Sequence, residues 1–275
     1  MLKREDIRIR DPFIFTDKKN GCYYMYGTTA CKEGSLSTEP TLTVYKTEDL
    51  EHFSDGKMIF SGAEIGFWAD RDYWAPEMHQ YNGKYYLFVS FKSEDRHRAT
   101  QILVCDTPDG QFRPVSEDPI TPADWECLDG TLWVENGVPY MVFCHEWVQV
   151  VDGEIWAVPL KEDLSAPAGE PFFLFRASEN PNVSAGKRGQ RVTDGPFLFC
   201  EDGKLKMIWS SFYEGRYLVL EAESDSIHGK WEHKGSRYDF DGGHAMLFET
   251  LDGTRMISLH SPNKAGLERA MFLPY

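Results

Sequence analysis

Apolar and polar positions alternate in short stretches along the chain, and the apolar runs are strand-length and rich in aromatic and β-branched residues. A first group occupies residues 13–15, 23–28, 41–46 and 57–60. A second runs through 67–70 and 73–77, 84–91, 100–105 and 112–115, and a third through 132–134, 139–144, 154–158 and 172–175. A fourth comprises 197–200, 205–209, 217–222 and 230–233, and a fifth 245–249, 255–259 and 269–273. In each group the opening segment and the next are joined by Asn-Gly or Asp-Gly, with glycines at positions 21, 83, 137, 203 and 253. These dipeptides favour the primed turns of β-hairpins, which need two consecutive residues at positive φ.

Five hairpins recurring at intervals of roughly 50 to 66 residues suggest an array of like units. Four strands per unit is the make-up of a propeller blade. The expected fold is all-β: a five-bladed β-propeller of four-stranded antiparallel blades around a central axis. No Pro- or Ser-rich linker and no low-complexity tract divides the chain, so residues 1–275 read as one domain. Ile7 and Ile9 alternate with Arg8 and Arg10, which predicts a strand leading into Asp11 or closing the ring against the last blade. Loops at Cys31–Pro40, 92–98 and 176–191 are expected over the face where the opening strands begin.

Composition narrows the function. A net charge of −15 argues against a nucleic-acid partner, which requires a basic footprint, and leaves no polybasic membrane anchor. No apolar run approaches the ~20 residues of a membrane helix. The first residues carry no apolar signal segment, and six cysteines without C-x-x-C spacing read as reduced, so a cytoplasmic setting is expected. Nothing in the sequence bears on oligomeric state.

The chemistry gathers where the opening strands begin. Asp11, Glu77, Asp129, Asp194 and His244 each head such a segment, so a propeller would bring them to one end of its axis. Any one Asp before Pro or Gly is most simply a turn former. Recurrence in several units favours a site, because clustered carboxylates oppose one another's ionisation and a purely structural ring would avoid them. Carboxyl groups with separated pKa values suit general acid–base work such as glycosidic hydrolysis. Aromatic residues near the same openings (Trp68, Tyr73, Trp74, Trp125, Trp147, Phe212, Tyr213) suit the C–H faces of a sugar.

Taken in order, Arg10-Asp11-Pro12-Phe13, Tyr73-Trp74-Ala75-Pro76-Glu77, Leu128-Asp129-Gly130, Asp194-Gly195-Pro196 and Gly243-His244 resemble the motifs of glycoside hydrolase family 43, over essentially the whole chain. The resemblance implies Asp11 as general base, Asp129 as the residue that tunes and orients the acid, and Asp194 as the acid. It places Trp74 and Glu77 near the sugar, and His244 near a central water or calcium ion. No cofactor is required on this reading, though a structural calcium near the axis is a candidate, held by His244 through water.

One departure stands out: the family usually carries Glu where this chain has Asp194. A displacement of ~1 Å in a catalytic group costs on the order of a hundredfold in rate. Glu146 is therefore the rival acid, or else a ligand for a sugar hydroxyl beside Trp147. Arg96, in the charged loop at 92–98, is a further candidate substrate ligand. The activity expected is inverting cleavage of terminal α-L-arabinofuranosyl or β-D-xylosyl residues from small plant-derived oligosaccharides. Two alternatives stand beside it. One is a propeller phosphorylase, with Lys187, Arg188, Arg191, Arg96 and Arg98 as its cations. The other is a propeller that binds carbohydrate without cleaving it.

Overall fold

The computed structural model describes residues 1–29 and 40–275. The loop expected at Cys31–Pro40 lies, but for Pro40, outside the described residues. Five antiparallel sheets are arranged in a ring, giving a five-bladed β-propeller. Their opening strands are Arg10–Asp17, Arg71–Tyr81, Cys127–Glu135, Asp194–Glu201 and Gly243–Glu249. Each pairs with a second strand across the hairpin marked by its Asn-Gly or Asp-Gly turn, and the turn glycines all have positive φ.

The second strands, Cys22–Thr28, Lys84–Lys92, Val138–His145, Lys204–Tyr213 and Arg255–Ser261, are buried along most of their length. A strand in mid-blade is covered on both faces by the neighbouring blades, so its sequence reads as a continuous apolar run rather than an alternation. The core accordingly lies between blades. Phe88, Ile102, Met141 and Phe143 pack between the second and third, while Phe175, Trp209 and Leu220 belong to the cluster of the third and fourth.

Blades two, three and four have four strands. The fifth has three, and the first gains a short pair, Leu2–Lys3 with His52–Phe53. Ile7 and Ile9 are buried as expected but do not form a strand. The ring is closed instead by scattered bonds between blades five and one. Ile9 N donates to Glu268 O (3.4 Å), Ser258 Oγ to Pro12 O (2.8 Å) and Thr16 Oγ1 to Glu249 O (2.6 Å). Residues 67–70, expected as strand, follow a short helical turn at Gly62–Ile65; there Phe67 packs on Phe60 and Phe91. Among the described residues no helix is long and apolar enough to cross a membrane, and the five described cysteines are free.

Candidate active site

Each opening strand carries a register irregularity near its start, and at each one a residue has positive φ: Asp11 (53°), Ala75 (46°), Asp129 (55°), Gly195 (51°) and His244 (54°). Such bulges re-aim a side chain out of the strand's alternation. These five residues, rather than the five titratable ones read from the sequence, are the repeat's equivalent positions. Asp194 stands one residue before its blade's position, paired across to Ser210 as Arg10 is to Thr28 and Leu128 to Cys144. Glu77 stands two residues after Ala75. The offset corrects the expectation that Asp11, Asp129 and Asp194 occupy matching positions. The dipeptides Asp11-Pro12, Ala75-Pro76 and Gly195-Pro196 mark the true alignment.

The bulges nevertheless deliver Asp11, Asp129, Asp194 and His244 to one cavity of about 400 Å³, whose wall also includes Arg10, Thr28, Trp74, Glu146, Trp147, Phe212, Tyr217 and Asn263. Asp11 accepts a hydrogen bond from Thr28 Oγ1 (2.6 Å), and its Oδ1 lies 3.2 Å from His244 Nδ1. Its amide donates to His260 Nδ1 (3.2 Å), so this nitrogen is an acceptor and the ring's Nε2 faces Asn263 Oδ1 (3.2 Å). Burial alone would raise the Asp11 pKa. The charge of His244 first, with the Arg10 guanidinium, outweighs it and holds the carboxyl well below the usual carboxylate range.

Asp129 and Asp194 are shifted the other way. Burial pushes both up, and the Asp129 carboxylate raises Asp194 further, against the opposing pull of His244 and the Tyr217 hydroxyl. Tyr217 donates to Asp194 Oδ2 at 3.0 Å, and Asp129 Oδ2 accepts the Gly195 amide at 2.9 Å. Burial opposes charging of His244, but the surrounding carboxylates, Asp11 first, prevail and raise its pKa.

Glu146 sits at the wall with a cation of its own. Arg98 Nε donates to Glu146 Oε2 (3.1 Å) and Arg98 NH1 to Asp72 Oδ2 (2.7 Å), while the guanidinium lies 4.0 Å from the centre of the Trp74 ring. Burial pushes Glu146 up, and Arg98 opposes it.

Trp74, Trp147 and His244 thus line the cavity. Glu77 is buried beside it, 3.4 Å from His79 Nε2. Arg96 is not brought there: it is exposed, bonded to Asp118 and set over the Trp68 ring. The buried arginine of that loop is Arg98, whose amide donates to Glu126 (2.8 Å) where the loop rejoins the blade. Tyr217, Asn263 and His260 escaped the reading of the sequence, and Arg98 was named there only as a cation of the phosphorylase alternative. A polar residue near the end of the second strands, as in Thr28, Ser90, Ser210 and His260, was the signal that could have found His260. Lys187, Arg188 and Arg191 do not line the cavity.

A calcium ion takes six to eight oxygen ligands. Among the described residues no group of three or more His, Cys, Asp or Glu is placed to hold a metal. The buried Nε2 of His244 has no partner among the described residues, an orphan that a water molecule fits.

A propeller whose axis gathers buried carboxyl groups shifted in opposite directions has the make-up of an acid–base hydrolase. Residues 6–273 match Glycosyl hydrolases family 43, and the chain belongs to that family; it is a glycosidase acting on O-glycosyl bonds. It is similar to an endo-arabinase from Bacteroides thetaiotaomicron, at 39% identity and TM-score 0.91 over 100% of this chain and 96% of that one. The extracellular endo-alpha-(1->5)-L-arabinanase 1 of Bacillus subtilis (strain 168) is 22% identical over 87% of this chain and 72% of its own length. A xylosidase/arabinosidase of Bacteroides ovatus is 24% identical over 70% of this chain and 65% of its own, so about a third of that relative lies outside the match.

Proposed function

We propose that this hydrolase cleaves terminal α-L-arabinofuranosyl linkages of small plant-derived oligosaccharides in a single inverting step. The observation that carries the mechanism is the placing of Asp11 and Asp194 on one cavity wall, Asp11 beside His244 (3.2 Å) and Asp194 buried near Asp129, surroundings that favour an ionised Asp11 and a neutral Asp194. Asp11 accepts a proton from the attacking water, and Asp194 gives its proton to the departing oxygen. Asp129 acts through Asp194, both by its charge and by its bond to the Gly195 amide. Glu146 is the poorer acid because Arg98 favours its ionised form; with Trp74 and Trp147 it serves as a sugar ligand. Asp194 is one methylene shorter than the family's usual glutamate, so the scissile oxygen must come deeper toward the Tyr217 side.

The arabinofuranosyl preference rests on the names of the similar proteins; a β-D-xylosyl substrate rests on that of the xylosidase/arabinosidase. A second reading, cleavage within an arabinan chain, is favoured by the likeness to the endo-arabinase at 39% identity. Incubation with α-1,5-linked arabino-oligosaccharides, with products followed by NMR and chromatography, tests both points. The β anomer appearing first supports inversion, and the α anomer contradicts it. Release of monosaccharide from one end supports the terminal action, and early mid-sized fragments the internal one.

A further inference from the structure

Four of the five bulges are tied around the ring by one repeated bond. At each of the four the amide of the positive-φ residue donates to a polar side chain near the end of the second strand of the preceding blade. Ala75 N donates to Thr28 Oγ1, Asp129 N to Ser90 Oγ and His244 N to Ser210 Oγ, each at 2.8 Å, and Asp11 N to His260 Nδ1 at 3.2 Å. All four acceptors occupy the same register, opposite Arg10, Trp74, Asp194 and Gly243. In the third blade that register holds Cys144, opposite Leu128. Its thiol is a weak acceptor, and the Gly195 amide goes instead to Asp129 Oδ2 at 2.9 Å.

We infer that the sulfur at Cys144 is what leaves the Gly195 amide to Asp129, whose carboxylate closes the fifth tie of the ring. This rests on the roles proposed above for Asp129 and Asp194. An amide shared between two acceptors cannot hold either as firmly. A hydroxyl at position 144, set as Ser90 and Ser210 are set, takes the Gly195 amide and releases one oxygen of Asp129. The released carboxylate loses a hydrogen bond to its charged form, and the fixed geometry between Asp129 and the backbone beside Asp194 is lost with it.

The test is the pH profile of kcat/KM for Cys144→Ser and Cys144→Ala on one aryl arabinofuranoside. Serine is close to cysteine in shape, so the fold is retained; alanine removes the sulfur and adds no acceptor. Cys144→Ser is expected to lose about tenfold in kcat/KM, in keeping with a hydrogen bond to a charged group. Its acidic limb should move to higher pH, while Cys144→Ala keeps the wild-type profile and loses only thermal stability. A wild-type profile in Cys144→Ser, or the same displaced profile in both variants, overturns the inference. Failure of the underlying acid assignment has a different signature: Asp194→Asn would then keep full activity on unactivated oligosaccharides.

Discussion

His244 Nδ1 lies 3.2 Å from Asp11 Oδ1, joining the first and last blades of the ring at the floor of the cavity. Both residues sit at bulges with φ near +55°, a conformation few side chains accept. The pair fixes the charge state of the site, because a histidine with raised pKa beside Asp11 keeps that carboxyl ionised across the working range.

Asp11→Asn should therefore lose roughly 10²–10⁴-fold in kcat, the usual worth of a general base. Asparagine tolerates positive φ and can still accept from Thr28, so the melting temperature should stay within a few degrees. Steady-state rates and a thermal melt check both halves, and retained turnover would remove Asp11 from the base role.

Asp194 carries a cost in stability. Its folded pKa is above the ordinary value of 3.8, so the folded state holds the proton more tightly than the unfolded chain. Stability is then highest below the unfolded pKa and is lost as pH rises through the folded one. Asp194→Asn removes that loss. Its melting temperature should exceed the wild type's by an amount that grows between pH 5 and pH 8, on the order of 2–4 °C per kcal/mol. A gain independent of pH would contradict the raised pKa.

Gly195 has no room for a side chain. A Cβ there would stand 2.8 Å from His244 Cδ2 on a backbone with φ of +51°. Gly195→Ala should cost at least about 1–2 kcal/mol from the backbone alone and displace the imidazole that faces Asp11. A fall in both melting temperature and kcat is expected, with KM little changed.

Arg98 is buried between two carboxylates, so Arg98→Met leaves Glu146 and Asp72 without their cation. Breaking a buried pair in this way costs about 3–5 kcal/mol, and a loss of that size should be visible in urea unfolding. Glu146→Gln keeps a polar partner for Arg98 and should raise KM more than it lowers kcat, the mark of a sugar ligand. The reverse split would return Glu146 to contention as the acid.

The hairpins were legible because Asn-Gly and Asp-Gly report a local requirement, positive φ at consecutive residues, that owes nothing to the rest of the fold. Asp11, Asp129 and His244 were legible for a related reason: each heads a hairpin at a bulge. Asp194 was found at the head of its hairpin, but its offset was missed: the X-Pro dipeptides at 11–12, 75–76 and 195–196 carry the alignment, and the pairing with Ser210 shows it. The roles of Arg98 and Tyr217 were beyond reach because they depend on contacts between strands whose alignment the sequence does not state. Arg96 and Arg98 differ in which is buried, and the Arg98 amide bonds to Glu126, far along the chain.

The central claim is that Asp194 is protonated when it acts while Asp11 is not. The kcat/KM profile of wild type and Asp194→Asn on an aryl arabinofuranoside with a good leaving group tests it most directly, since such a substrate needs little help from an acid. The wild type should show a basic limb near the raised Asp194 pKa of about 7, and Asp194→Asn should keep substantial activity with that limb gone. A basic limb that persists unchanged in the variant would contradict the account.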